Sequence, residues 1–393
     1  MRSVNSIPIY RKSIEAHMIY TEVKYMPERS RIYLGSPALI RLPDGAIIAS
    51  HDHFYDEPEA FRGSHPRLTS VYRSEDDGRS FQHISNIIGA FWCTLFLHRD
   101  ALYLLGCDRC YGSIVIRRSD DGGFTWSWPV DETSGLLFQG GEGKTPPNYH
   151  GAPVPVAFHN GRIYRAFEDN VTGHWPTGFQ ALVISAPEDA DLLDAASWRM
   201  SNKLSFDASK VPSDWGDHGP GFLEGNAVAG PDGMLWDVMR LSTEPHSDYA
   251  AMVKVSPGGE TVSLDYEHDI IRLPGGTHKF TIRRDPVTGM YLTLSNNNTV
   301  PGSASQRNIL SLCASENLRD WRVVKTLLRD ESGLREEDSI RLTGFQYADW
   351  QFDGDDLIYL VRTAYRGAVR FHDSNRITFH VLKGFRNLLK TGK

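Results

Sequence analysis

The feature that most constrains this chain is a unit repeated along its length: an apolar strand, a tight turn and a second apolar strand. It recurs as SPALIRLPDGAIIAS, CTLFLHRDALYLLG, APVPVAFHNGRIYRAF, NAVAGPDGMLWDV, FTIRRDPVTGMYLTL and DWQFDGDDLIYLV. The turns LPDGA, HNGR, PDGM and FDGDD carry the Asp-Gly or Asn-Gly chemistry of short hairpins. Six units at a spacing of roughly 50 to 75 residues suit four-stranded propeller blades with long insertions. Helical periodicity is nearly absent, EDADLLDAASW being the main candidate for a short helix. No Pro/Ser-rich linker interrupts the repeat. One all-β domain, a β-propeller of four-stranded antiparallel blades, is therefore expected over residues 1–393. The N-terminal segment, about residues 17–35, is expected to close the ring with C-terminal strands, as a seventh blade or as the closing strand of the last.

A second pattern falls in other turns. VYRSEDDGRSF (Val71 to Phe81) and IVIRRSDDGGFTW (Ile114 to Trp126) share Ser-x-Asp-x-Gly-x-Thr/Ser-aromatic, the Asp-box signature. The carboxylate accepts backbone N–H groups across the turn, and glycine takes the φ that other residues resist. Degenerate echoes follow at VKVSPGGETVSL and LCASENLRDW. Asp-box turns are thus expected around the ring.

Composition removes several classes. A formal charge of −7 without runs of like charge offers no surface for nucleic acid or an anionic membrane. No segment approaches the roughly 20 apolar residues of a membrane span, and the N-terminus lacks an apolar signal core, which points to the cytoplasm. Four cysteines do not make a disulfide framework in 393 residues. Cys107-Asp-Arg-Cys110 has metal-ligand spacing but no second pair, so no cofactor is required, while a structural metal ion shared between loops stays open. Phosphate-loop, HExxH and GxSxG motifs are absent.

With both turn types on one face of the disc, the remaining connections share the other. That face collects ASHDHFYDE, CDRCYG, EDNVTGHW, RLSTEPHSDY, SNNNTVPGSASQR, RTAYRGAVRFHDSN, Tyr149-His150, FLEGN, His278-Lys279 and Tyr347-Ala-Asp-Trp350. A concave mouth lined by Arg, His, Tyr, Asn, Glu and Trp suits a saccharide, and several arginines suit one bearing a carboxylate. His372-Asp373 is open between a structural and a functional pair.

LPDGAIIASHD, LYLLGCDRCYGSIVIRRSDDGGFTW, YHGAPVPVAFHNGRIYRAFED, FLEGNAV, GGTHKFTIRRDPVTGMYLTLSNN and VRTAYRGAVRFHDSNRITFHVLKGFR together resemble the L-rhamnose-α-1,4-D-glucuronate lyases, polysaccharide lyase family 42, from about Tyr33 onwards. More distantly the chain is similar to the propeller ulvan lyases and to sialidase-like proteins. The resemblance implies seven blades and β-elimination from an acidic oligosaccharide, with a histidine as base and acid; the residue matching the ASHD phrase is His51. His53, two residues on, is open as an alternative base and substrate ligand. Face geometry nominates Arg109 or Arg165 to neutralise the uronate carboxylate, Tyr149 and His150 as alternative acid or base, and Glu224, Lys279, Asn297, Arg362 and Tyr365 as substrate ligands. The alternatives are a sialidase-like or rhamnosidase-like hydrolase, for which Glu57, Asp108, Glu168 and Glu224 offer carboxyl groups, and a glycan-binding propeller without activity. A sialidase requires an arginine triad and a tyrosine–glutamate pair, which the sequence does not place.

Overall fold

The computed structural model describes residues 20–56, 65–142, 145–216 and 218–390. Six antiparallel sheets follow one another around an axis. Blade 1 pairs Ile32–Arg41, Ile47–Tyr55, Leu68–Ser74 and Gln82–Ile88 in chain order. Blade 2 runs from Phe91 to Phe138, blade 3 from Tyr149 to Ser205, blade 4 from Gly221 to Arg272 and blade 5 from Ile282 to Arg329. Short extra strands widen blades 3 and 4. Blade 6 comprises Gly344–Asp353, Asp356–Ala364 and Arg376–Leu382, and takes its outermost strand, Thr21–Tyr25, from the other end of the chain.

Packing follows from strand alternation. In blade 1, Leu39, Ile47 and Ala49 join an apolar cluster with Ile358, Leu360 and Phe379 of blade 6, whereas Ala38, Ile40 and Ile48 join one with Leu95, Leu102 and Leu104 of blade 2. Each neighbouring pair of blades shares such a cluster, so six interfaces close the ring.

The seven-bladed expectation is corrected to six. Each hairpin unit yields one sheet, and the N-terminal strand completes the sixth sheet instead of founding another. Residues 17–19 of the expected closing segment lie outside the described residues. Asp-box turns as a feature of the ring are also corrected. Among the described residues, a turn bonded by serine and aspartate is formed in blades 1 and 2, at Ser74/Asp76 and Ser119/Asp121. Asn317 stands at the corresponding place in blade 5, and Ser256 with Glu260 in blade 4. The helix expected in EDADLLDAASW shrinks to one 3-10 turn, Ala195–Ser197, capped by Asp194.

One irregularity matters for function. The innermost strands of blades 1, 2, 4 and 6 each break register near the axis, between Gly35 and Ala38, Phe91 and Thr94, Leu223 and Gly225, and Gln346 and Asp349. Within each break one residue adopts positive φ: Ser36 (43°), Trp92 (55°), Glu224 (36°) and Tyr347 (55°). A bulge of this kind re-aims a side chain that a regular strand would bury between blades. All four line the same cavity.

Candidate active site

That cavity, about 350 Å3, opens at the axial mouth on the face of the long connections. The four bulges supply Ser36, Trp92, Glu224 and Tyr347. In three of these blades, 1, 4 and 6, the second strand adds the residue paired to the position just before the bulge: Asp52 opposite Gly35, Arg240 opposite Leu223, and Arg362 opposite Gln346. The same local geometry, repeated by rotation, thus presents two side chains from each of these three blades to one space. Arg307 arrives from the connection between Tyr291–Ser295 and Ile309–Ser315.

The polar centre is a tyrosine–glutamate pair under three guanidinium groups. Tyr347 Oη donates to Glu224 Oε1 at 2.5 Å, and Arg240 Nη1 donates to Glu224 Oε2 at 2.6 Å. Arg240 is fixed further by donating from Nε to Thr277 O at 2.6 Å. Arg362 lies over the rings of Phe54 and Tyr347, 4.6 and 5.0 Å from their centroids, and donates to Ser374 Oγ at 3.0 Å. Arg307 sits over Phe371 and donates to Gln346.

The electrostatics of this cluster favour an anion. Burial raises the Glu224 carboxyl, but Arg240, His150 and the Tyr347 hydroxyl outweigh it and hold the group below the usual glutamate range. Burial, reinforced by Glu224, pushes the Tyr347 phenol up to about 12, so it is protonated and donates. Burial and the charge of Arg240 bring Arg307 down to about 10, and burial lowers Arg362 as well. Three guanidinium groups against one carboxylate repel one another at close quarters, and a bound carboxylate relieves that strain bidentately. Asp52 differs. Its carboxyl is raised by burial against the pull of Ser36, Trp92 N, Arg362 and Arg67, a shift that favours the protonated form. Its Oδ2 accepts from Trp92 N at 3.0 Å.

Of the residues nominated from sequence as catalytic or substrate-binding, His150, Glu224 and Arg362 line the cavity, and His51, His53, Arg109, Tyr149, Arg165, Lys279, Asn297 and Tyr365 do not. His51 is fully buried, stacked on Tyr72, with Nδ1 3.0 Å from Asp52 O, and burial lowers it to about 3. His53 bonds Ser70 Oγ at 2.9 Å. The reason is parity: His51 shares the strand face of Ile47 and Ala49, towards blade 6, whereas the next residue, Asp52, reaches the cavity. Arg109 is held by Asp108 Oδ2 at 2.7 Å and Gly141 O at 2.9 Å. Arg165 is wholly buried on the carbonyls of Ala166 and Ala152. Tyr149 and Tyr365 belong to apolar clusters. Lys279 donates to Thr281 Oγ1 and Ala348 O, at 2.7 and 3.0 Å. Asn297 is half-buried away from the cavity. Glu57 lies outside the described residues. His372, bonded to Asp373 Oδ1 at 3.0 Å, does face the cavity.

Sequence reasoning had put Arg240, Arg307 and Tyr347 on the correct face without selecting them, and had passed over Asp52 beside His51. The alignable signal was internal: a polar or aromatic residue at the start of each inner strand, as in GSPAL, FWCTL, FLEGN and FQYAD.

Among the described residues no group of three or more His, Cys, Asp or Glu side chains is placed to hold a metal ion, and the four cysteines are buried and outside any disulfide. Nor is any helix among them long and apolar enough to cross a membrane.

No family model and no curated protein matches the chain. Solved structures do. An α-L-arabinanase from Penicillium chrysogenum superposes with a TM-score of 0.56 at 15% identity, over 95% of this chain and 99% of its own. An α-L-arabinofuranosidase from Fusarium graminearum gives 0.57 at 12% identity, over 95% and 99%. A Trypanosoma rangeli sialidase gives 0.59 at 15% identity, over 91% of this chain and 56% of its own. The fold is therefore a β-propeller distantly related to those of arabinofuranosidases and sialidases. Nothing in these likenesses supports the rhamnose–glucuronate lyase resemblance. The lyase expectation is corrected accordingly: the named relatives are glycosidases, and its histidine base is locked between blades.

Proposed function

We propose that the protein is a retaining glycoside hydrolase acting on a sugar acid, in the manner of a sialidase. The observation that carries the reading is Tyr347 bonded to Glu224 beneath Arg240, Arg307 and Arg362. The guanidinium groups bind the substrate carboxylate. Tyr347 Oη attacks the anomeric carbon as its proton passes to Glu224, and Asp52 protonates the departing glycosidic oxygen. Water then attacks the same carbon, giving a proton to Asp52, while Tyr347 leaves and recovers its own from Glu224. A phenol suits this role because a carboxylate nucleophile would be repelled by an anionic group at the reacting centre; tyrosine nucleophiles are the recognised exception to the two-carboxylate scheme. An uncharged arabinose unit would offer the three arginines no carboxylate, which disfavours an arabinanase-like substrate.

The test is incubation with aryl glycosides of a 2-keto sugar acid and of glucuronate in isotopically labelled water. Hydrolysis places the label on the anomeric oxygen, and a fluorinated substrate analogue leaves a covalent adduct on Tyr347 in peptide mass spectra. Unlabelled products, or an adduct on a carboxylate, would refute the assignment.

A further inference from the structure

The cavity has two unlike halves. Blades 4 to 6 build the cationic half. Blades 2 and 3 contribute Phe91, Trp92, Tyr111, His150 and Trp175, and blade 1 adds Asp52 and Arg67, whose guanidinium lies over the rings of Tyr55 and Phe91. Trp92 and Tyr111 pack edge-on with centroids 5.7 Å apart, His150 stands 4.4 Å from Trp92, and Trp175 is 46% exposed. Behind His150 lies a fully buried carboxylate. Glu168 accepts from Gly225 N at 3.0 Å on one oxygen and meets His150 Nδ1 at 2.8 Å on the other. A carboxylate accepts, so a hydrogen of this pair sits on Nδ1, and Nε2, at the other side of the ring, is left for a ligand hydroxyl. The mechanism above assigns these residues no chemical step.

We infer that the aromatic half is a subsite for an uncharged hexopyranose leaving group, with His150, positioned by Glu168, hydrogen-bonded to one of its hydroxyls and the rings of Trp92, Tyr111 and Trp175 covering its C–H face. Aromatic faces meet the C–H side of a pyranose, and a buried polar atom that needs a hydroxyl discriminates strongly against ligands lacking one. The inference builds on the hydrolase reading, which assigns the other half to the acid sugar.

Its test needs no turnover. Methyl β-galactopyranoside and methyl β-glucopyranoside are titrated against the full chain, with saturation transfer from aromatic protons as the readout. Binding in the millimolar range is expected. It should weaken at least tenfold in Trp175→Ala and in His150→Phe, be largely retained in Glu168→Gln, and survive saturation with a free sugar acid. Thermal melting of each variant identifies any that fails to fold, and Trp175→Ala, at an exposed position, keeps the test open should His150→Phe do so. Absence of binding, equal binding by folded variants, or displacement by the sugar acid would each overturn the subsite. Failure of the hydrolase reading would show separately, as binding of the neutral glycosides without hydrolysis of any acid glycoside.

Discussion

Tyr347 and Glu224 stand 123 positions apart in the chain, yet the phenol of one donates to the carboxylate of the other at 2.5 Å. Each sits at a bulge with positive φ on the innermost strand of its blade, and each faces an arginine from the adjoining strand. Backbone outliers of this sort persist only where the surroundings enforce them, and they gather at functional sites.

Tyr347→Phe removes the attacking oxygen while keeping the ring beneath Arg362. Turnover of an acid glycoside should fall about a thousandfold or more, with KM little changed. Glu224→Gln should lose a comparable factor, and the double variant should lose hardly more than either alone, because the two act as a unit. Steady-state kinetics on the three variants check this.

Arg240 and Arg307 should separate stability from binding. Arg240 and Glu224 are buried together, with side chains 7% and 3% exposed. Arg240→Met strands a buried carboxylate and should cost about 3–5 kcal/mol in urea unfolding. Arg307 lies among like charges and meets Gln346, not a carboxylate. Arg307→Met should stay within about 1 kcal/mol of the parent while raising KM at least tenfold, since structure gains from losing a charge that substrate binding requires.

The pH profile should be a bell with assignable limbs. Glu224, held below the usual glutamate range, must be ionised to act as base, so activity rises with pH as it deprotonates on the acid side. Asp52, raised by burial, must be protonated to act as acid, so activity falls as pH climbs through its elevated value. In Asp52→Asn the alkaline limb should vanish for substrates with good leaving groups. The same shift carries a stability term: the contribution of Asp52 is complete below its unfolded value and is lost as pH rises through the folded one.

His51 should matter for acid stability and not for chemistry. Burial lowers it from 6.5 to about 3, so its contribution to folding is intact above pH 6.5 and disappears as pH falls towards 3. His51→Gln should flatten the decline in urea midpoint between neutral and acid pH. Products of the parent enzyme should show no ultraviolet absorbance from an unsaturated uronate.

A chain starting at Pro27 lacks Thr21–Tyr25, the outer strand of blade 6. It gives up the burial of Val23 and the ladder to Arg376–Leu382. One valine at about 2 kcal/mol and several net hydrogen bonds at about 1 kcal/mol each predict a loss of about 3–5 kcal/mol. The bared edge should also promote association, visible in light scattering.

The hairpins, their turns and the face on which long connections gather were legible in the amino-acid sequence, because strand alternation and Asp-Gly turns are local properties of a few consecutive residues. That reading placed His150, Glu224 and Arg362 on the working face. It took His51 from the ASHD phrase of the resemblance and did not weigh Asp52, and alternation could not have corrected this, since it shows that neighbours point opposite ways without showing which way is inward. Nor could it set the blade count, since a closing strand and a new blade look alike until pairing is known. Only the tertiary structure decided that four bulges would turn Ser36, Trp92, Glu224 and Tyr347 to one axis and bring three arginines from separate blades around a single carboxylate. The reason is physical. Register shifts and the convergence of distant strands are set by how six blades pack into a closed ring, a condition that no stretch of sequence carries on its own.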